Sequence, residues 1–444
     1  MNQRRCFKSA PHLKPLSMRK TETVSILDIG THKVVCLIAE LQPKADMSRN
    51  QSRTHAVKLI GIGHQISAGI KGGIITDPKA AEHAIRHAVS SAERMANVEV
   101  RSILVNLSAG RIASLHGKGE ITLNGPVRSQ DIAHLHAVTC ASLGNPARLL
   151  IHSLPTEYRL DNQPHISDPV GMVGDKLGVT MHLVSIDHAV AQNILMVVER
   201  CMLDVAAFTT SSYASGLATL SDDEMDMGCV LLDIGATTTN IGVFAQGQFV
   251  HADAFTMGGH HISMDIARGL TLRFSVAERL KITQGTAIWS HNDDRDIIPL
   301  PGLPDMAAQS ENSGFIPKGR LSRIIQPRLE EILEFARNRL EQAGFSQQLR
   351  QRIVLTGGTS QMRRIDELAG KIMEGPARIG LPYGIKGLPA AAATPVFSVA
   401  GGLLFYPQYA DREFFEHQRS INRYAATGTD HYLARFGRWL KDSF

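Results

Sequence analysis

Cysteine is scarce in this sequence of 444 residues, which contains only five, and their spacing excludes two common kinds of site. No pair is separated as C-x-x-C, so the sequence offers neither a disulfide framework nor a typical zinc site. Cys36 and Cys229 stand within apolar segments that have the character of strands. We therefore interpret the cysteines as reduced thiols, buried in a protein of a reducing compartment.

Long apolar runs, a P-loop and a dense basic stripe are also absent. Without 18 consecutive apolar residues, no segment predicts a membrane-spanning helix, and without G-x-x-x-x-G-K-[ST] the chain is not a P-loop protein. The formal net charge of +5 is mild, and basic residues do not cluster beside aromatics, which argues against nucleic acid as a partner. Residues 1–22 carry several cations with no apolar block behind them, so we predict a disordered basic tail and not a signal peptide.

What the sequence does contain is one short motif twice. An apolar strand leads to Asp28-Ile29-Gly30-Thr31, and a second apolar strand leads to Asp233-Ile234-Gly235-Ala236 in the other half of the chain. We expect Gly30 and Gly235 to adopt positive φ and to leave room for a ligand. Hydroxyls and free N–H groups at such turns suit phosphate oxygens, and each aspartate suits a hydrated Mg²⁺. Two facing copies would form a clamp around a polyphosphate.

The periodicity between and after these hairpins predicts an α/β protein with an α+β insert. Asp77-Pro78 marks the start of a helix, and Asp187 is predicted to cap another. Residues 129–143 and 322–343 are helical by period, with Gly344 as the residue after the second helix. Ile353 to Thr356 reads as a strand that leads into a glycine turn and a helix start.

A third contact to a ligand is predicted at Gly357-Gly358-Thr359, because paired glycines at a helix start let the backbone approach a ribose or base. Glu278 and Lys281 are three apart on a helix and point the same way, toward ribose hydroxyls and an adenine edge or simply toward solvent as a surface pair. His260 and His261 are adjacent, so they face apart and make a poor metal pair.

The last fourteen residues, 431–444, have the pattern of an amphipathic helix. Their apolar residues fall within an arc of about 140°, and their cations lie opposite. This favours a peripheral membrane anchor; the alternative is a helix docked on the protein's own core. One short helix binds weakly, so firm attachment would need several clustered copies. The predicted membrane-binding residues are Arg435, Phe436, Arg438, Trp439, Leu440, Lys441 and Phe444.

These motifs, in this order, resemble those of the actin, Hsp70 and sugar-kinase superfamily. Within it the chain is similar to the FtsA family of bacterial cell-division actins, because the insert carries His152-Ser153-Leu154-Pro155-Thr156-Glu157-Tyr158-Arg159-Leu160-Asp161 and a second signature from Ile166 to Leu177. The segment Pro376 to Gly380 and the terminal helix are similar too. The resemblance covers residues 23–406 and resumes at the C-terminal tip.

The resemblance implies a duplicated actin/Hsp70-like nucleotide-binding fold in which an insert of the SHS2 type, called 1C, replaces the usual subdomain 1B. The implied organisation is subdomain 1A over 23–106 and 185–227, 1C over 107–184, 2A over 228–274 and 351–406, 2B over 275–350, a linker over 407–430 and the helix over 431–444. FtsA-like proteins bind ATP, assemble into actin-like filaments and recruit later division proteins, here expected through the insert. They tether the tubulin-like FtsZ, expected to contact 2B, to the anionic cytoplasmic face of the inner membrane at the septum.

Carried over by position, the resemblance also implies the ligand contacts. One hairpin would hold phosphate and Mg²⁺ from one side and the second hairpin from the other, while the glycine turn would lie against the adenosine and the helix pair beside the ribose and base. The residues are Asp28, Gly30, Thr31 and Lys33; Asp233, Gly235 and Thr238; Gly357, Gly358 and Thr359; and Glu278 and Lys281.

The second hairpin departs from the family's usual Gly-Gly-Thr-Thr-Asp. Ala236 and Thr237 add bulk where backbone should approach the γ-phosphate, and Asn240 removes a carboxylate that could help hold Mg²⁺ or orient water. His32 stands where the family prefers a small hydroxyl. We therefore expect ATP to bind but any hydrolysis to be slow or absent, and we assign no catalytic residue.

Three other functions fit the sequence less well. A sugar kinase of the same superfamily needs a catalytic aspartate beside a sugar pocket, and none stands out. A chaperone-like ATPase needs a substrate-binding domain after Tyr406, for which too few residues remain. A pilus-assembly actin-like protein would bind a short membrane-protein tail, and the insert's proline-containing signatures argue against it.

Overall fold

Two sheets with the same strand order organise the structure, a computed structural model that describes residues 8–11, 13–44, 53–108, 111–145, 147–300 and 315–414. Strand β1 Lys8–Ser9 joins the sheet of the insert. The first lobe begins with β2 Glu22–Ile29, β3 Lys33–Pro43, β4 His55–Ile66, β5 Ile70–Lys71, β6 Ile74–Ile75, α1 Pro78–Ala96 and β7 Ser102–Leu107. The insert contains β8 Ala113–Thr122, α2 Ser129–Leu143, β9 Arg148–Leu160, β10 Gln163–Ile166 and β11 Lys176–Asp187. The segment that follows it contains α3 His188–Arg200, β12 Asp204–Thr210, α4 Ser211–Thr219 and α5 Asp222–Met227.

The second lobe completes the described chain. It contains β13 Cys229–Ile234, β14 Thr239–Ala245, β15 Gln248–Phe255, α6 Gly259–Gly269, α7 Phe274–Gln284, β16 Ile297–Pro299, β17 Phe315–Pro317, α8 Lys318–Gln342, α9 Ser346–Gln351, β18 Ile353–Thr356, α10 Ile365–Ile372, β19 Ala377–Ile379, β20 Ile385–Lys386 and α11 Ser398–Phe405. Of these, β20 returns to the edge of the first sheet, beside β4.

The two large sheets are duplicates in topology. One runs β12-β7-β2-β3-β4-β20 and the other β19-β18-β13-β14-β15. In each, an antiparallel meander of three strands continues beyond its first strand into two more strands, and each of these pairs in parallel with the strand before it. Their central strands are buried on both faces, as parallel sheets covered by helices require. The duplicated α/β architecture predicted from the repeated motif is therefore present.

The insert forms its own small sheet, β1-β9-β11-β8, with α2 on one face and a separate apolar core. The predicted bounds of α2, residues 129–143, are confirmed. Helix α8 begins at Lys318, four residues before the predicted start, and ends before Gly344, whose φ of +87° makes it the expected left-handed residue. The turn after β18 leads into a short 3₁₀ segment, Gly358–Gln361, and not directly into an α-helix.

The expectation of a disordered tail over residues 1–22 is wrong for its second part. Lys8–Ser9 pair in parallel with Leu149 and Leu150 of the insert, and the Ala10 N–H continues the ladder to the Leu150 carbonyl at 3.0 Å. Ala10 is buried. The edge strand β9 supplies the partner, which local composition could not reveal. Residues 1–7 lie outside the described residues.

The predicted linker over 407–430 is likewise wrong at its start, because residues 407–410 are buried, with Gln408 accepting a hydrogen bond from the His55 N–H, and Glu413 and Phe414 contact the insert. The Glu413 carboxylate is buried and accepts a hydrogen bond from His152 Nδ1 at 3.0 Å. The Thr210 N–H donates to His152 Nε2 at 3.0 Å, so the imidazole hydrogen must sit on Nδ1. Residues 415–430 and the predicted helix 431–444 lie outside the described residues.

Asp187 and two of the cysteines lie where the sequence predicts them. Asp187 stands at the N-cap of α3 as predicted, but its side chain makes no cap hydrogen bond and instead pairs with Arg148 Nη1 at 2.9 Å. Cys36 and Cys229 are buried free thiols, and burial raises the pKa of each to about 12. Within the described ranges, no helix has the length and apolar character needed to cross a membrane.

Candidate functional site

The tips of the two repeated hairpins meet. The Gly30 N–H donates to the Lys33 carbonyl at 2.9 Å and closes the first tip, and the Gly235 N–H donates to the Thr238 carbonyl at 2.8 Å and closes the second. Thr31 Oγ1 and Thr237 Oγ1 lie 2.7 Å apart, within hydrogen-bond distance. The hydroxyls of Thr31 and Thr237 therefore connect the two duplicated lobes at the position where the sequence predicts phosphate binding.

The reason for glycine at these tips differs from the expectation. Neither Gly30 nor Gly235 has positive φ, so that prediction is wrong. Each is instead crowded by the carbonyl that it bonds, since an added Cβ would lie 3.0 Å from the Lys33 oxygen or 3.1 Å from the Thr238 oxygen. The tightness of the turn, and not a left-handed backbone, favours glycine at both positions.

Two buried aspartates lie directly behind the tips. Asp28 and Asp233 are 5% and 6% exposed, and Lys33 Nζ lies 3.0 Å from Asp28 Oδ2. The Lys33 ammonium also lies 4.6 Å from the centre of the Phe397 ring, a favourable cation–π position. Burial first, and the charge of Asp28 second, raise the pKa of Asp233 to about 7. One lysine thus faces two carboxylates, which leaves the pair short of positive charge.

These side chains fit a hard cation. Asn240 Nδ2 donates to Asp233 Oδ2 at 3.4 Å, whereas Asn240 Oδ1 is buried and has no hydrogen-bond partner. Carboxylate and amide oxygens are ligands that Mg²⁺ accepts, and Mg²⁺ usually keeps several waters as well. In the part of the chain that the structure describes, no three His, Cys, Asp or Glu side chains converge on one point. These few oxygen ligands suit a Mg²⁺ ion whose remaining ligands are water molecules.

The glycine turn after β18 passes against the same carboxylate. Gly357 has a φ of +84°, and an added Cβ would lie 2.4 Å from Asp233 Oδ1, so only glycine fits. Thr359 Oγ1 donates to the Gly235 carbonyl at 2.9 Å. At Gly358 an added Cβ would meet no atom within 4 Å. The turn is therefore packed on the second hairpin at both ends and open in its middle, where a ligand could lie.

Glu278 and Lys281 form an ion pair at 2.9 Å on α7, and Lys281 Nζ also donates to the Gly259 carbonyl at 2.9 Å. The Gly259 N–H in turn donates to the Gly235 carbonyl at 3.0 Å. Burial lowers the pKa of Lys281, and the charge of Glu278 opposes that shift. The pair is half-buried at the second hairpin, which distinguishes it from an ordinary pair on an open surface.

Three contacts of this site were not predicted from the sequence. Thr237 contacts Thr31 across the two tips, while Thr238, the predicted phosphate ligand, is mostly buried. Asn106 accepts a hydrogen bond from the Ile29 N–H at 2.6 Å and so fixes the end of β2. An asparagine within the otherwise apolar strand β7 was a signal for that role. Phe397, beside Lys33, lies far away in sequence and gave no local signal.

Family models match two parts of the chain. The model for "Cell division protein FtsA" matches residues 230–402, and the model for "SHS2 domain inserted in FTSA" matches residues 109–185. The chain is 44% identical to the cell division protein FtsA of Rhizobium meliloti strain 1021 over 435 residues, which are 98% of each chain. It is 31% identical to FtsA of Neisseria meningitidis strain MC58 over 95% of this chain and 98% of that protein.

Solved structures with a similar fold are much more distant in sequence. The PilM–PilN type IV pilus biogenesis complex gives a TM-score of 0.59 at 16% identity, covering 87% of this chain and 98% of the other. MreB 5 of Spiroplasma citri bound to AMPPNP gives 0.51 at 14% identity, covering 86% and 95%. With the SHS2 match, these neighbours confirm the predicted actin-like α/β fold with its insert.

Proposed function

The chain belongs to the FtsA family of cell division proteins, and on this premise we propose that it binds ATP with Mg²⁺ between its lobes and tethers FtsZ filaments to the cytoplasmic face of the inner membrane at the septum. The observation that carries the nucleotide proposal is the contact of Thr31 with Thr237 in front of the buried pair Asp28 and Asp233. Self-assembly into filaments and recruitment of later division proteins through the insert belong to the same proposal.

Each residue of the site has a proposed role. Asp28 and Asp233 would hold a hydrated Mg²⁺, which neutralises polyphosphate charge when it is bound. Lys33 and the tip hydroxyls would bind phosphate oxygens. The open middle of the turn Gly357 to Thr359 would lie against the adenosine, and Glu278 with Lys281 would reach the ribose and base.

Replacing Lys33 with methionine is expected to weaken Mg²⁺–ATP binding by about 30-fold or more, because a buried charge-assisted contact to phosphate contributes roughly 2–3 kcal/mol. Equilibrium titration with a fluorescent ATP analogue measures this. Lys58→Met is the matched control, since Lys58 lies on the same sheet in an exposed 3.4 Å pair with Glu40. Binding by Lys33→Met within three-fold of the unaltered chain would refute the proposed role.

Hydrolysis is expected to be slow, below about 1 s⁻¹, the lower end of ordinary enzymes. Ala236 and Thr237 occupy the tip where smaller residues would admit the γ-phosphate, and Asn240 offers an amide where a carboxylate would orient water. Phosphate release by the purified chain, with and without FtsZ, measures the turnover. A rate of tens per second would contradict this expectation.

Membrane tethering is expected to depend on residues 431–444, whose apolar and cationic sides fit an interfacial helix. Co-sedimentation with anionic liposomes should pellet the full chain together with FtsZ, whereas a chain ending at Asp430 should leave both in solution. Trp439→Glu should behave like the shortened chain, and Lys58→Met like the full one. If the full chain stays soluble at every lipid composition, the tethering proposal falls and nucleotide binding stands on its own.

A further inference from the structure

The outer face of α1 carries two histidines one helical turn apart, His83 and His87, both exposed. The helix beneath them is firmly placed. The Asp77 side chain accepts hydrogen bonds from the N–H groups of Lys79 and Ala80 and caps its start. Its buried face of small residues lies directly on β4, where Gly63 leaves room for the helix backbone. The backbone that carries the two imidazoles is therefore held firmly in place.

Their Nε2 atoms lie close together. His83 Nε2 and His87 Nε2 lie 3.2 Å apart, and the ring centres are 4.3 Å apart with planes inclined by 62°. Two metal–nitrogen bonds of about 2.0–2.1 Å that meet at 90–110° separate their nitrogens by about 2.9–3.4 Å. The observed separation falls within that range, so the pair already has the spacing that one ion requires.

The same separation is also that of an N–H···N hydrogen bond, which explains why the pair is held together without a metal. Only one Nε2 can then carry the hydrogen. If that hydrogen moves to Nδ1 of the same ring through solvent, both Nε2 lone pairs become free to bind an ion. The hydrogen bond therefore pre-arranges the two ligands, and the exchange changes neither the charge of the protein nor its fold.

We propose that His83 and His87 form a two-histidine site for a divalent transition-metal ion, with Zn²⁺, Ni²⁺ and Cu²⁺ as the class that fits. Imidazole nitrogen suits these ions, whereas the all-oxygen donors at Asp28 and Asp233 suit Mg²⁺, so the two sites select different metals. Within the described ranges no third His, Cys, Asp or Glu joins the pair. Water completes the coordination, and Cu²⁺ binds most tightly of the three.

Isothermal titration of the full, untagged chain with ZnCl₂ tests the site. We expect His83→Ala and His87→Ala each to remove one zinc equivalent or to weaken it at least ten-fold. His134→Ala is the matched control, because His134 is an exposed histidine on another helix, α2. It should leave the zinc isotherm unchanged.

A second measurement distinguishes coordination by both rings from binding by one. The electron paramagnetic resonance spectrum of the chain with one equivalent of Cu²⁺ should show two equatorial nitrogens, and either alanine variant should lose that signature. All variants replace exposed side chains, so circular dichroism should show the same fold. Unchanged zinc stoichiometry and affinity in both His83→Ala and His87→Ala, or an equal loss in His134→Ala, would overturn the proposal.

Discussion

Gly63→Ala is expected to lower the free energy of unfolding by about 3 kcal/mol or more, because the added methyl group would overlap the backbone of helix α1. A Cβ at Gly63 would lie 1.8 Å from the Ala88 carbonyl oxygen and 2.8 Å from its carbon. Neither atom belongs to a flexible side chain that could turn away. Helix α1 must therefore move off β4, which separates the buried face of Ala84, Ala88 and Ala92 from the first lobe.

Urea unfolding followed by circular dichroism measures this change. Gly178→Ala is the matched control, since Gly178 is also a strand glycine without positive φ. Its added Cβ would come no closer than 3.4 Å to the Arg159 side chain and 3.5 Å to the Gly119 carbonyl oxygen, which are ordinary van der Waals contacts. The control should change stability by less than about 0.5 kcal/mol. A Gly63→Ala chain as stable as the Gly178→Ala chain would show that α1 is not held against β4 in this way.

The parts of the fold that depend on short-range patterns could be predicted from the sequence. Apolar strands on both sides of the Asp-x-Gly turns predicted both hairpins, and the helical period placed α2 at its observed bounds. The repeat of the motif indicated duplication, and the two sheets share one strand order. In each case the residues that form the contact are close in sequence or carry the same local signal twice.

The parts that failed depend on partners far away in the chain. Lys8–Ser9 become a strand only because β9, about 140 residues later, offers an edge. Glu413 reads as a linker residue by polarity, yet its carboxylate is buried because His152 presents an N–H to it. A polar residue is tolerated inside a protein when its partner is present, and sequence polarity alone does not show that partner.

In the candidate site too, the features with a local sequence signal were predicted and those that depend on distant partners were not. The aspartates and the glycine turn were predicted from the motifs, and Glu278 with Lys281 were assigned to the site by the family resemblance. The structure brings all of them around the second hairpin. The contact of Thr237 with Thr31 could not be predicted, because it depends on which of two adjacent hydroxyls faces the other lobe. Their roles in holding ATP and Mg²⁺ stay predictions.

Asp233→Asn is expected to stabilise the chain by about 2–4 kcal/mol at pH 8 without Mg²⁺, while weakening Mg²⁺-dependent ATP binding. Burial and the charge of Asp28 raise the pKa of Asp233 to about 7, against an ordinary value near 3.8. Between these values the folded chain holds a proton that the unfolded chain has released. The contribution of Asp233 to stability is therefore full below pH 3.8 and is lost as the pH rises through 7. Asparagine has the same shape and carries no charge, so it escapes that loss.

Urea unfolding of both chains at pH 4 and pH 8 tests the sign of this effect. The two stabilities should nearly coincide at pH 4 and separate at pH 8, with the asparagine variant the more stable. Asp175→Asn, a change at an exposed aspartate of the insert, should leave the difference between the two pH values unaltered. If Asp233→Asn is less stable than the unaltered chain at pH 8, burial and repulsion from Asp28 do not destabilise the charged Asp233 carboxylate. If it is more stable and binds Mg²⁺–ATP more weakly, the strain between Asp28 and Asp233 is the cost of keeping a cation site ready.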